Sequence, residues 1–141
     1  MKQTLLIITT LMLTIGYSQE TDVLSAADWF QKGYNALENE EYDKAILYYE
    51  KAIELDPDDA AAYYNLGLAY YDQGNYTKAI ESYEKAIELK PDYAIAYYNR
   101  AVAYYYMKEY DKAWDDVYKT QSLGNQVHPG FLKALREASG R

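Results

Sequence analysis

Apolar and polar residues follow one another along most of this chain at helical spacing, and the pattern returns every 34 residues. Tyr49-Glu50-Lys51-Ala52-Ile53-Glu54-Leu55-Asp56-Pro57-Asp58 recurs almost unchanged as Tyr83-Glu84-Lys85-Ala86-Ile87-Glu88-Leu89-Lys90-Pro91-Asp92. Ala62-Tyr63-Tyr64-Asn65-Leu66-Gly67 recurs as Ala96-Tyr97-Tyr98-Asn99-Arg100-Ala101, and Tyr42-Asp43-Lys44-Ala45, Tyr76-Thr77-Lys78-Ala79 and Tyr110-Asp111-Lys112-Ala113 are three copies of one motif. A period of this size built from two helical patterns predicts a stack of helix pairs, each too small to bury its own apolar face.

Within each pair the small residues mark where two helices approach. Gly33, Gly67 and Ala101 fall on the first helix, and Ala45, Ala79 and Ala113 on the second, where larger side chains would hold the axes apart. Gly74 is suited to the left-handed conformation that ends a helix, while Pro57 and Pro91 stop the second helix of their pairs. Glu40 and Lys108 stand in the place of Gly74 in the other pairs, at a modest cost. Ser25 with Asp28 resembles a capping box that starts the first helix. After the last pair, Pro129 opens a seventh helix whose Phe131, Leu132 and Leu135 share a face that can cover the stack, with Lys133 and Arg136 toward water.

The signature resembles the tetratricopeptide repeat, which asks in order for an early aromatic, Leu-Gly, Tyr, Ala, an aromatic, Ala and a closing Pro. Residues 60–93 supply Tyr63, Leu66, Gly67, Tyr70, Gly74, Ala79, Tyr83, Ala86 and Pro91. Residues 26–59 supply Trp29, Gly33, Ala45, Tyr49, Ala52 and Pro57, with Lys32, Ala36 and Glu40 departing from the pattern. Residues 94–127 keep Tyr97, Ala101, Tyr104 and Ala113, but Val117, Gln121 and Asn125 sit where an aromatic, an alanine and a proline belong, so the second helix of this unit reads as degenerate. The resemblance implies an all-α fold: a right-handed α-α superhelix, or solenoid, of three helix pairs (26–59, 60–93 and 94–127), followed by a capping helix and tail over 128–141.

It also implies where a partner would sit. The signature residues are committed to the stack, and at about 100° per residue the opposite face of each first helix is left to line the concave side. That face supplies the candidate partner-binding residues Phe30, Tyr34, Tyr64, Asn65, Leu68, Tyr71, Tyr98, Asn99, Val102, Tyr105 and Tyr106, with Glu38 and Asp72 giving a mildly acidic rim. Aromatic side chains with a polar tip give contact area at low entropic cost, and the asparagines offer hydrogen bonds to a peptide backbone. Family members that grip chaperone C-termini clamp carboxylates with Lys, Arg and Asn; the matching places here are Phe30, Tyr34, Asn65, Ile95 and Asn99, so the cations of that clamp are missing. The expected function is a protein-interaction module that binds a peptide segment or partner protein. The rival reading is a self-associating or scaffold subunit of a cell-envelope assembly, a homo-dimer among its forms.

Composition narrows the partners further. A net charge of -8 and a pI near 4.6 oppose nucleic acid and anionic lipid. The absence of cysteine excludes disulfides, thiolate catalysis and cysteine-ligated metals. Nineteen tyrosines against two phenylalanines suit half-buried contact faces. Ser82 and Lys85 fit a Ser-x-x-Lys pattern but lie inside a repeat helix without companion motifs. Asp56, Asp58 and Asp59 begin like a calcium loop, but Ala60 and Gly67 fill ligand places. His128 reads as a helix-start residue, and Asn75-Tyr76-Thr77 is a glycosylation pattern only in a eukaryote. No enzyme activity, cofactor, metal or small-molecule substrate is therefore expected.

The N-terminus carries an address. Lys2, the apolar run Leu5 to Ile15 and the small residues Gly16 and Ser18 form a signal-peptide pattern over 1–18, with cleavage after Ser18 and a short linker at 19–25. The run is shorter than the roughly 20 apolar residues a spanning helix needs, so membrane contact is expected only through an uncleaved segment. With no cysteine to carry a lipid, the expected product is exported, periplasmic or secreted.

Overall fold

The computed structural model describes residues 23–141. The signal segment and the first part of the linker lie outside the described residues. Within them the chain forms seven helices: α1 (Ala26–Glu38), α2 (Tyr42–Leu55), α3 (Ala60–Asp72), α4 (Tyr76–Leu89), α5 (Ala94–Tyr106), α6 (Tyr110–Ser122) and α7 (Pro129–Ser139). Each odd helix packs on the even helix that follows, α2 packs on α3, α4 on α5, and α7 closes the stack against α6. This is the tetratricopeptide-like all-α solenoid with a C-terminal cap that the repeat predicts. No helix of the described residues is long and apolar enough to cross a membrane.

The chain turns sharply within each of the three pairs, and again between α6 and α7, by one device. The N–H groups of Glu41, Asn75, Glu109 and Asn125 return to the carbonyls of Ala36, Tyr70, Tyr104 and Thr120 at 2.9, 2.8, 2.9 and 3.2 Å. That six-to-one bond needs a left-handed residue just before it. Gly74 (φ 82°) and Gly124 (φ 80°) supply it without steric cost, whereas Glu40 (φ 59°) and Lys108 (φ 61°) adopt it at about 1–2 kcal/mol each. At the front of α1, Ser25 accepts from the Asp28 backbone while the Asp28 carboxylate accepts from the Ser25 backbone, closing the expected capping box.

Close approach of the paired helices fixes the core. Ala45, Ala79 and Ala113 are fully buried, as are the Tyr49 and Tyr83 rings. A Cβ on Gly33 would lie 2.8 Å from Tyr49 Cε1, and one on Gly67 only 2.5 Å from Tyr83 Cε1, so each glycine makes room for one ring. The third pair solves the same problem differently. Ala101 and a fully buried Val117 share one core cluster, a methyl on one helix matched by a smaller side chain on the other. The second helix of that pair is thus regular, and its departure from the repeat is a redistribution of volume rather than decay.

Two polar links hold the stack in register. Tyr70 donates to Glu50 at 3.2 Å and Tyr104 to Glu84 at 3.3 Å, joining each first helix to the second helix of the preceding pair. Inside the third pair, Arg100 of α5 donates from Nε and Nη2 to both oxygens of Asp116 on α6, each at 2.8 Å. Asp116 is buried, and the second pair carries Leu66 and Ser82 at the corresponding places.

Candidate binding groove

The faces of α3 and α5 that carry no repeat signature meet on one side of the stack. Asn99 donates through Nδ2 to the Tyr64 hydroxyl at 2.8 Å, and the Tyr64 ring lies 5.9 Å from that of Tyr83 and 5.2 Å from that of Tyr93. Burial pushes the Tyr64 hydroxyl up to about 12. Next to this link, Leu68, Tyr71 and Asp72 of α3, Tyr98, Asn99 and Val102 of α5, and Tyr83 of α4 line a cavity of about 240 Å³. Five residues that the repeat period puts on one face therefore share one hollow: Leu68, Tyr71, Tyr98, Asn99 and Val102.

The remaining candidates are not part of the lining of this hollow. Phe30 packs edge-on to Tyr49 at 5.5 Å, and Tyr34 is 45% exposed. Tyr105 lies 5.6 Å from Tyr106 and 5.9 Å from Tyr110, and Tyr106 stacks on Tyr76 at 5.0 Å while remaining 52% exposed. Asn65 turns back on its own helix and donates to the Ala61 carbonyl at 2.8 Å. Its difference from Asn99 has a simple cause. Asn99 meets the hydroxyl of Tyr64, and one repeat earlier that place is held by Phe30, which has none.

Two features escape a reading of the first-helix face alone. The cap reaches into the groove: Phe131 of α7 sits edge-on to Tyr98 at 5.8 Å and to Tyr105 at 5.7 Å, where the next first helix of a longer stack would pack. The floor comes from a second helix, since Tyr83 lines the cavity, and its hydroxyl and that of Tyr49 are buried with no hydrogen-bond partner among the described residues. The identical spacing of these tyrosines from Gly67 and Gly33 is the signal that places both rings beneath the groove. Electrostatically the groove is neutral but for its rim. Burial raises the hydroxyls of Tyr71, Tyr83 and Tyr98 above their ordinary value, and the Asp72 carboxyl is raised first by burial and then by Glu40.

The residues set aside on sequence grounds have ordinary partners. Ser82 donates to the Lys78 carbonyl at 2.9 Å and Lys85 pairs with Glu88 at 2.7 Å, both within α4. His128 accepts through Nδ1 from the Gly130 N–H at 3.1 Å, which is a helix-start role. No group of acidic and histidine side chains able to hold a metal occurs among the described residues.

A profile of the tetratricopeptide repeat matches residues 30–94 and again 69–121. The chain belongs to the tetratricopeptide repeat family. Among solved tetratricopeptide structures it is similar to the first such domain of Spaghetti (RPAP3) bound to the HSP90 peptide SRMEEVD, with 25% identity, a TM-score of 0.74 and coverage of 82% of this chain and 91% of that one. The TPR2B domain of yeast Sti1 in complex with pHsp70 gives 25% identity, a TM-score of 0.73 and coverage of 82% and 96%. MamA gives 35% identity and a TM-score of 0.70 over 71% of this chain, which spans 58% of MamA. A comparison with curated proteins finds no match. The fold is thus that of a protein-interaction scaffold, and two of the similar tetratricopeptide structures hold chaperone peptides or partners.

Proposed function

We propose that this protein is an exported peptide-binding module that takes a segment of a partner protein into the tyrosine-lined hollow between α3 and α5. The observation that carries the reading is that hollow itself, in which Leu68, Tyr71, Tyr98, Asn99 and Val102 leave half-buried apolar and amide surface facing outward. At about 240 Å³ it is smaller than the roughly 300–1,000 Å³ of small-molecule pockets, and suits one side chain of a longer ligand. Peptide recognition by the structures it resembles supports the same class of partner.

The test changes the groove and spares the stack. Leu68→Gln with Val102→Gln alters two half-buried positions that avoid the glycine–tyrosine contacts, so helicity by circular dichroism is expected to stay at the parental level. Retention of partner proteins from the envelope fraction of the source cells is expected to fall at least tenfold, roughly 1.4 kcal/mol or more of binding free energy. Equal retention rejects the groove. Export has its own readout: the intact mass of the protein recovered outside the cytoplasm is expected to correspond to a chain beginning at Gln19, and a product that keeps Met1 rejects cleavage.

A further inference from the structure

Cations in this molecule already sit on aromatic faces, but not in the groove. Lys78 lies 5.1 Å from the ring centre of Tyr70, Lys90 4.7 Å from that of Tyr93, and Arg100 5.5 Å from that of Tyr97. No Lys or Arg of the described residues lies over Tyr71 or Tyr98, the two aromatic walls of the hollow. The carboxylate beside those walls is Asp72, which has no ion-pair partner among the described residues and which Glu40 approaches as a second negative charge.

The polar groups of the hollow share a further property. Asn99 commits one carboxamide N–H to Tyr64, and its carboxamide oxygen is left as an acceptor. Asp72 offers only acceptor oxygens when ionised. Two acceptor groups, two tyrosine rings and an uncompensated negative charge line a space the size of one side chain. An ammonium group carries three donors and no acceptor, and it is attracted to aromatic faces.

We infer that the hollow between α3 and α5 is a pocket for a lysine side chain of the bound segment, its ammonium held by Asp72 and the Asn99 carboxamide oxygen. This rests on the groove reading above and adds the chemistry of the partner. The methylene stem of the lysine lies against Leu68 and Val102. The preference is opposite in sign to the acidic peptide SRMEEVD held by the first tetratricopeptide domain of Spaghetti. It also fits the protein's net charge of -8, which draws a basic segment toward the groove.

The probes are three peptides, acetyl-Ala-Leu-Xaa-Leu-Ala-amide with lysine, glutamine or glutamate at Xaa, titrated into the nitrogen-15-labelled protein and followed by NMR. The lysine peptide is expected to shift the Asn99 side-chain amide and the Leu68 and Val102 signals, and to bind at least tenfold tighter than the glutamine peptide, with glutamate weakest. Asp72→Asn is expected to bring the lysine peptide down to the glutamine level while leaving the glutamine peptide unchanged. If the glutamine or glutamate peptide binds as tightly as lysine and still shifts Leu68 and Val102, the lysine pocket is overturned and the groove stands. If the lysine peptide shifts only residues elsewhere, or no peptide shifts the groove, the pocket is overturned, and the groove reading is then decided by the envelope capture with Leu68→Gln and Val102→Gln.

Discussion

Replacing Arg100 by leucine is expected to destabilise the protein by about 3–5 kcal/mol, although leucine is the residue the second helix pair carries at the same place. The reason lies on the opposite helix. Asp116 is buried, with only 6% of its side chain exposed, and both of its oxygens accept from the Arg100 guanidinium. Taking away the guanidinium leaves a charge with neither water nor partner. The double change Arg100→Leu with Asp116→Ser rebuilds the Leu66 and Ser82 arrangement and is expected to return to within about 1 kcal/mol of the parent, since an apolar replacement of a whole buried pair is often neutral or better. Urea denaturation of the parent, Arg100→Leu, Asp116→Ser and the double variant closes the cycle; equal stabilities for Arg100→Leu and the double variant would sink the argument.

The single variant also carries a pH signature. Burial pushes the Asp116 carboxyl up, and the Arg100 hydrogen bonds and charge pull it back. Without Arg100 only the upward push is left, so the folded carboxyl binds a proton more readily than the unfolded one, whose value is near about 3.9. A group raised on folding contributes stability at low pH and loses it as pH rises through the folded value. The deficit of Arg100→Leu against the parent is therefore expected to be largest at pH 7 and to shrink on acidification toward pH 5 and below.

The elements that follow from local chemistry could be read from the chain alone. Gly74 and the two prolines punctuate helices because backbone geometry demands it, and Ser25 with Asp28 forms its cap through residues three apart. Val117 could not be read this way. As a letter in a repeat it departs from tyrosine, and its meaning depends on Ala101 sixteen residues away, whose methyl takes the space a ring would need. The same holds for Arg100 and Asp116, two exceptions to the period that compensate one another only across the helix pair.

The groove divides along a similar line. Period and helical spacing bring Leu68, Tyr71, Tyr98, Asn99 and Val102 together because all five belong to first helices repeating at a fixed interval. Three features depend on contacts that periodicity does not encode. Tyr83 belongs to the packing signature, so its part in the floor emerges only once its ring lies under Gly67. Asn65 and Asn99 occupy one repeat position but differ because Phe30 and Tyr64 differ in a hydroxyl. Phe131, legible as a capping residue, is not legible as a neighbour of Tyr98 and Tyr105.

Gly67→Ala sets two physical effects against each other, and their sizes decide the sign. Helix propensity favours alanine over glycine by about 1 kcal/mol in a helix interior. Against this, the new methyl would lie 2.5 Å from Tyr83 Cε1 and 2.6 Å from Cδ1, where carbons normally rest about 3.5–4.0 Å apart. Tyr83 is fully buried, so relieving the contact has to shift packed neighbours, and overpacking of this kind costs roughly 3 kcal/mol. The net expectation is a loss of about 2 kcal/mol. Gly33→Ala, with its nearest contact at 2.8 Å, should lose less. The third pair supplies the compensating change. Tyr83→Val alone leaves a void, but with Gly67→Ala it reproduces the Ala101 and Val117 solution, so the double variant is expected to be more stable than the sum of the two losses by at least about 1 kcal/mol. Chemical denaturation measures all three, and a Gly67→Ala protein as stable as the parent or more so would show that propensity governs this position. Because Tyr83 is also the floor of the hollow, the glycine at 67 fixes the depth of the groove through the same contact that fixes the fold.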